Sequence, residues 1–254
     1  AAAAADCYAA PPPPVVSQEL QAVYKGRARE MLKRAATSWQ HLLTHEPKNP
    51  FCPVCLRARI NRKPRRKGTL QLGPMPENFG DQVTADHLIR QRKAVKLYDP
   101  NDDDPPEDDS DDPDALPHKA GAGLVIYDRA TKWLALYPKQ GKNAKDTVVA
   151  FKHFAGNETV RSMYTDNSWE LQRACIELRW NNPTAIQGIP KTNGLAERMV
   201  GITEDGTRAN IVQSGFHPSM WVYAGLHFCF ARNILVGANG ESVHFARFGR
   251  NFQG

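Results

Sequence analysis

Three acidic residues stand where a chain of alternating strands and helices would present side chains to a ligand. Asp86 lies in the run FGDQVTADHLI, Asp166 ends VRSMYTDN, and Glu197 opens LAERMVG just after the turn-forming PKTNG. Strand ends and helix starts line the crevice of an α/β sheet, so one cleft could collect all three. Converging carboxylates repel one another, and burial raises their pKa values; a divalent cation removes that conflict. Oxygen ligands suit Mg²⁺ or Mn²⁺. Two such ions, about 4 Å apart, would activate an attacking hydroxyl and stabilise the leaving oxygen in an in-line displacement at phosphorus. Each acid has a plainer use as well: Asp166-Asn167 can open a helix, and Glu197 can sit favourably at a helix N-terminus or pair with Arg198. Asp81 is a rival for the first acid, but it falls five residues early, near the strand start.

A second constellation lies upstream. HLLTHEPKNPFCPVC holds His41, His45, Cys52 and Cys55 within fifteen positions. Histidines four apart on a helix share a face, and C-P-V-C is a tight knuckle, so the four could close a tetrahedral Zn²⁺ site. The alternative is two helical histidines beside a chance C-x-x-C. Cys7, Cys175 and Cys229 read as tail or core residues. His87, His153, His217, His227 and His244 read as packing or surface histidines, with His87 adjoining the acidic site.

Charge points to a polyanionic partner. The net +6 conceals an asymmetry, because residues 99 to 114 hold ten of the 27 acidic residues and no basic one, leaving 17 against 33 basic residues elsewhere. So basic a body suggests nucleic acid. Seven basic residues, Arg57, Arg59, Arg62, Lys63, Arg65, Arg66 and Lys67, fall within eleven positions; they can contact DNA backbone, act as a nuclear localisation patch, or form a solvated linker. Five cysteines, only two of them close together, argue against a secreted disulfide framework. No stretch of eighteen apolar residues or secretory signal is present, so a nuclear or cytoplasmic protein is expected. The chain opens without Met and stops at RFGRNFQG; a segment of a longer polyprotein is the expectation.

The elements that must position these residues follow from periodicity. Residues 1–17 read as a disordered Ala/Pro tail. Residues 18–60 form a helical zinc-binding module whose apolar positions include Met31, Leu32, Ala35, Trp39 and Leu42, and residues 61–78 a basic linker. Residues 79–254 form the main domain, interrupted by an acidic disordered insertion at 99–117. Within it, a strand carries Val83, Ala85, His87 and Ile89 on one face and Asp86 on the other. AGLVIYDRATKWLALYP is a hairpin turning at Asp128 to Thr131. NAKDTVVAFKHFAG is a helix with Val148, Val149, Phe151 and Phe154 apolar and Gly156 as its stop. VRSMYTDN is a strand, and SWELQRACIELRW a helix with Ser168 as N-cap. A short strand then precedes a helix with Leu195, Met199, Ile202, Ala209 and Val212 on one face, and HPSMWVYAGLHFCFARN is the last helix. This order is that of an α/β, ribonuclease H-like mixed sheet flanked by helices.

TADH, YTDNSWEL and TNGLAER, in this order and on these elements, resemble the catalytic core of retroviral and retrotransposon integrases, the DDE polynucleotidyl transferases, with the Asn-Gly-x-x-Glu-Arg piece closest to copia-type elements. The similarity covers about residues 40 to 254 and runs on through TRANIVQSGFHPSMWVYAGLHFCFARN. It implies that Asp86, Asp166 and Glu197 bind Mg²⁺ or Mn²⁺, that Asn193 and Gly194 form the turn before the glutamate, and that Arg198 is the basic residue after it. It further implies that His41, His45, Cys52 and Cys55 are a structural Zn²⁺ module, that Lys191, Asn193, Arg198 and the Arg57–Lys67 run contact DNA, and that the protein acts as a homo-oligomer on element ends and target DNA. The sequence departs from the pattern in four places. Ser168 stands where the family usually has Gly, Lys191 where it has Gln, the acidic tract stretches the gap between Asp86 and Asp166, and the loop from His45 to Cys52 is much shorter; no ligand is lost. The activity implied is DNA 3′-end processing and strand transfer. A catalytically inactive nucleic-acid-binding relic and a hydrolytic nuclease of the same fold are the rival readings.

Overall fold

The computed structural model describes residues 18–58, 73–89, 121–139, 143–184, 194–237 and 240–253. The Ala/Pro tail, Arg59 to Lys67, the acidic insertion, Lys191 and Asn193 lie outside these residues.

The core is built on one strand. β2 (Ala122–Asp128, AGLVIYD) is buried along its whole length, as its nearly unbroken apolar run requires of a strand covered on both faces. It pairs antiparallel with β1 (Val83–Ile89) on one side and with β3 (Leu134–Lys139) on the other. β1 in turn pairs in parallel with β4 (Met163–Thr165), giving the order β3-β2-β1-β4. Parallel bridges Ser162–Asn181 and Thr165–Thr184 continue the sheet beyond β4. This is the ribonuclease H-like mixed sheet expected from the element order.

The two faces are covered by different helices. Val83, Ala85, Leu124 and Ile126 pack with Phe151 and Phe154 of α4 (Ala144–Ala155) and Leu171, Ala174 and Cys175 of α5 (Trp169–Leu178). Leu88, Val125, Tyr127 and Leu136 pack with Met199 of α6 (Gly194–Ser214) and Trp221, Val222, Phe228 and Cys229 of α7 (Trp221–Ile234). The alternation of β1 therefore turns Thr84, Asp86 and Leu88 toward α6, and Val83, Ala85 and His87 toward α5.

The hairpin turn is fixed by one buried carboxylate. Asp128 accepts from Thr131 N at 2.7 Å, Thr131 Oγ1 at 2.8 Å and Gly80 N at 3.0 Å, so it closes the turn and ties it to the chain entering β1. Asn143 caps α4 through Asp146 N, and Gly156 ends it at φ 62°, where glycine avoids the Cβ penalty.

Several expectations need correction. The strand read over VRSMYTDN shortens to three residues, because the chain turns away at Asp166 into α5. Ser168 occupies the N-cap position of α5, but its side chain makes no cap bond; its hydroxyl goes to Asp166 Oδ1 instead. The apolar positions Met31 and Leu32 are exposed, since α1 (Gln18–Ala36) touches the rest of the described protein mainly through α2 (Trp39–Thr44); Trp39 and Leu42 of α2 and Val149 of α4 are exposed as well. The chain also forms a further helix, α8 (Val243–Phe248), after α7.

Candidate functional site

Asp86 and Asp166 become neighbours through strand register. Ala85 pairs with Thr165 across the parallel β1–β4 ladder, so the residue after each partner is one of the two acids. Alternation turns Asp86 to the side on which α6 packs, and Asp166 follows the last residue of β4, where the chain leaves the strand. Both are half-buried. Glu197 lies in the first turn of α6 and is exposed, as is Arg198 beside it.

Local contacts hold the two aspartates. Asp86 Oδ1 accepts from His87 N at 2.7 Å. Asp166 Oδ1 accepts from Ser168 N at 3.1 Å and from the Ser168 hydroxyl. Asp166 thus makes the helix-opening turn that its sequence context allowed, and both of these contacts fall on one oxygen, with Oδ2 outside them. Asn182 braces the same strand end, donating to Met163 O at 2.7 Å and Thr165 Oγ1 at 2.9 Å. Asp81, the rival acid, is engaged elsewhere: it accepts from Asn78 N and pairs with Arg161 at 3.1 Å. The backbone N–H of Asn78 holds its carboxyl below the usual value, with Arg161 adding to the effect against some desolvation. The three carboxylates are not drawn into a cluster as tight as the one formed by His41, His45, Cys52 and Cys55 among the described residues.

Sequence reasoning missed a buried pair behind this site. His87 and Glu170 are both buried, and His87 Nε2 lies 2.9 Å from Glu170 Oε1, close but not aligned as a hydrogen bond. The pair joins the strand of Asp86 to the helix that follows Asp166. His87 is therefore more than a packing histidine. The signal available was the polar residue it adds to the inward face of β1 among Val83 and Ala85.

The upstream cluster closes as its spacing predicts. Ser38 accepts from His41 N at the start of α2, and His45 ends that helix in the left-handed conformation at φ 53°. Asn49 donates to Leu32 O at 2.7 Å and accepts from Phe51 N at 2.9 Å, folding the short loop. Pro53 then opens α3 (Pro53–Ala58), a position where its missing N–H costs nothing. The result places His41, His45, Cys52 and Cys55 at 6%, 0%, 1% and 0% exposure, with their donor atoms all within 4.8 Å of one another. Cys55 Sγ is 3.4 Å from His41 Nε2 and 3.7 Å from His45 Nδ1, and Cys52 Sγ is 3.5 Å from His45 Nδ1. Tetrahedral bonds of the usual Zn–S and Zn–N lengths put sulfur and nitrogen about 3.6 Å apart. Donor type, burial and spacing therefore fit Zn²⁺.

Of the residues expected to meet DNA, Arg57 lies in the last turn of α3 and Arg198 in the first turn of α6, both exposed. Arg59, Arg62, Lys63, Arg65, Arg66, Lys67, Lys191 and Asn193 lie outside the described residues. Among the described residues, no helix is long and apolar enough to cross a membrane.

No protein-family model matches the chain, and no curated protein matches it in sequence. Solved structures do match in fold. The catalytic core domain of BIV integrase aligns with 65% of this chain and 91% of its own at 13% identity, with a TM-score of 0.42. The HTLV-2 integrase catalytic core domain, solved with magnesium in a trimeric form, aligns with 67% of this chain and 97% of its own at 16% identity and a TM-score of 0.44. A simian T-cell lymphotropic virus intasome structure aligns with 79% of this chain at 16% identity and a TM-score of 0.48, the match spanning 65% of that chain. The likeness is one of fold, and the roles of individual residues are read from this chain's own geometry. In fold, the chain resembles the catalytic cores of retroviral integrases, with a His₂Cys₂ group upstream of the sheet.

Proposed function

We propose that this chain is an integrase-type polynucleotidyl transferase, which trims the 3′ ends of an element's DNA with water and then joins the exposed hydroxyl to a phosphodiester of target DNA. The observation that carries the reading is the register of β1 on β4. It pairs Ala85 with Thr165, the residues just before Asp86 and Asp166, and α6, which carries Glu197 in its first turn, packs on the Asp86 side of β1; this supports the reading.

Mg²⁺ or Mn²⁺ suits these carboxylate oxygens and would supply hydroxyl activation and charge neutralisation at the phosphodiester. The protein's own part is placement. Ser168 fixes Asp166 through Oδ1, the ladder fixes Asp86 against it, and His87–Glu170 ties the strand of one acid to the helix of the other. Arg198, exposed next to Glu197, would meet a phosphate.

On this reading residues 18–60 are a zinc-binding module in which His41, His45, Cys52 and Cys55 hold a structural Zn²⁺. Residues 61–78 are a basic linker and residues 79–254 the catalytic core. Arg57, Arg59, Arg62, Lys63, Arg65, Arg66, Lys67, Lys191, Asn193 and Arg198 contact DNA, the cations among them neutralising backbone with little sequence preference. A homo-oligomer would bring two DNA ends together.

The test is Mg²⁺- or Mn²⁺-dependent joining of a labelled duplex end to plasmid, with Glu197→Gln as the comparison. Joining by the wild type and at least a hundredfold loss in the variant, about what removal of an essential charge costs, is the expected result. Metal-dependent cutting without joining would replace the transferase with a nuclease. DNA binding by both proteins with reaction by neither would favour the binding-module reading.

A further inference from the structure

The His₂Cys₂ group is not isolated from the sheet domain. α2 and α3 pack against α6 and α7, and two side-chain contacts cross that boundary on either side of the end of α2. His45 Nε2 meets Gln213 Oε1, near the C-terminal end of α6. Arg232 of α7 donates through Nε to Glu46 Oε2 at 3.1 Å and through Nη1 to Lys132 O at 3.3 Å, pinning the residue after His45 to the core.

The two nitrogens of His45 have different neighbours. Nδ1 lies 3.5 Å from Cys52 Sγ and 3.7 Å from Cys55 Sγ, while Nε2 faces the amide oxygen of Gln213. An amide oxygen accepts and cannot donate, so with this amide orientation Nε2 would carry the proton and Nδ1 would turn its lone pair toward the sulfurs. The opposite amide orientation would put the proton on Nδ1, facing the sulfurs, and block that lone pair. His41 presents its other nitrogen, Nε2, to Cys55 at 3.4 Å, so the two histidines approach the group through different ring atoms and His45 must be held in one tautomer.

We propose that Gln213 is a positioning residue for the metal group: from α6 it selects the tautomer and ring orientation of His45, so that the sheet domain completes the N-terminal zinc site. The proposal rests on the zinc reading above. Ligating histidines usually give their second N–H to an acceptor, and loss of that acceptor typically costs about 10- to 100-fold in metal affinity. Linkage makes the effect reciprocal: whatever Gln213 contributes to metal binding, bound metal contributes to docking of α2 and α3 on α6. α6 is also the helix that carries Glu197, so metal loading at one end steadies the helix whose other end faces the acidic site.

The experiment is competition for Zn²⁺ against a chelating dye, with ¹⁵N spectra of the imidazoles, on the 254-residue chain and its Gln213→Ala, Gln213→Glu and Arg232→Ala variants. Gln213 is exposed, so its replacement leaves the core intact. Gln213→Ala is expected to bind Zn²⁺ about 10- to 100-fold more weakly and to lose the single Nε2–H tautomer of His45. Gln213→Glu keeps an acceptor and should stay within about threefold of wild type, and Arg232→Ala should loosen docking without changing the tautomer. Unchanged affinity in Gln213→Ala would overturn the proposal. So would equal weakening in Gln213→Ala and Arg232→Ala with the tautomer intact in both, since packing alone would then account for the loss. A wild-type chain that takes up no Zn²⁺ would overturn the zinc reading, and the proposal with it.

Discussion

Four cysteines lie buried among the described residues, and their surroundings divide them into two chemical kinds. Cys175 and Cys229 sit in the apolar layers on opposite faces of the sheet, where burial pushes each thiol up to about 12. Cys52 and Cys55 face two imidazoles at the end of a short module. In a Cys7→Ser chain treated with an alkylating reagent, Cys52 and Cys55 should react first in chelator and be protected by Zn²⁺. Cys175 and Cys229 should react only on unfolding, with site occupancy read by mass spectrometry. Zn²⁺ that protects neither Cys52 nor Cys55 would count against the metal group. The two core thiols also set a pH dependence. Their folded values near 12 exceed the ordinary 9.0, so above pH 9 the unfolded chain releases protons that the folded chain keeps. Their contribution to stability is complete below pH 9 and lost as pH rises toward 12. The urea midpoint should therefore fall over that range, and fall less in a Cys175→Ala, Cys229→Ala chain.

At the scale of elements, α6 does most to connect the sheet with the His₂Cys₂ group, and its packing depends on small residues. A Cβ on Gly206 would lie 2.2 Å from the Phe228 ring of α7, and one on Gly225 would lie 2.5 Å from Leu136 on β3. The buried line of α6 is accordingly Ala196, Met199, Thr203, Gly206, Thr207 and Ala209. Of the face expected from hydropathy, Met199 and Ala209 are on this buried line, Leu195 and Ile202 are only partly buried, and Val212 is exposed. Gly206→Ala should cost about 1–3 kcal/mol, because the Phe228 ring must move in a packed layer. Gly201→Ala, in the same helix with nothing within 4 Å of the added carbon, should stabilise by roughly 0.5–1 kcal/mol through helix propensity. Denaturant midpoints of the two variants should move in opposite directions; equal shifts would contradict the close α6–α7 approach.

Across the whole molecule, Arg247 gathers distant parts of the chain. From α8 its guanidinium lies 3.8 Å over Phe79, which precedes β1, and 4.8 Å from the Trp133 ring in the hairpin. It donates to Phe154 O of α4 at 2.6 Å and lies 3.7 Å from Glu158, with its side chain 5% exposed. Burial holds its pKa below the ordinary value, and the Glu158 charge works against that. Replacing it with Ala should cost about 2 kcal/mol or more, the scale of a desolvated cation–π contact, and Lys should recover only part of it because a compact ammonium cannot stack on several rings. A thermal midpoint unchanged in Arg247→Ala would show that α8 is not part of the folding unit.

Several features were legible without coordinates because they depend on local periodicity and residue chemistry. The hairpin over residues 122–139 follows from alternation and a turn aspartate. The end of α4 follows from Gly156, and the His₂Cys₂ group from four ligands of two types within fifteen positions. The face of Asp86 follows from the two-residue repeat of a strand. Tertiary structure alone decided the rest. That the strand of Asp86 runs beside the strand that leads into Asp166 depends on the parallel register of β1 and β4, which no local signal in the sequence encodes. Glu170 became a partner of His87 because folding buries the two against each other. Gln213 and Arg247 carried no motif at all. Their significance lies in contacts with residues 168 and 93 positions away, which pairwise spacing along a chain does not encode.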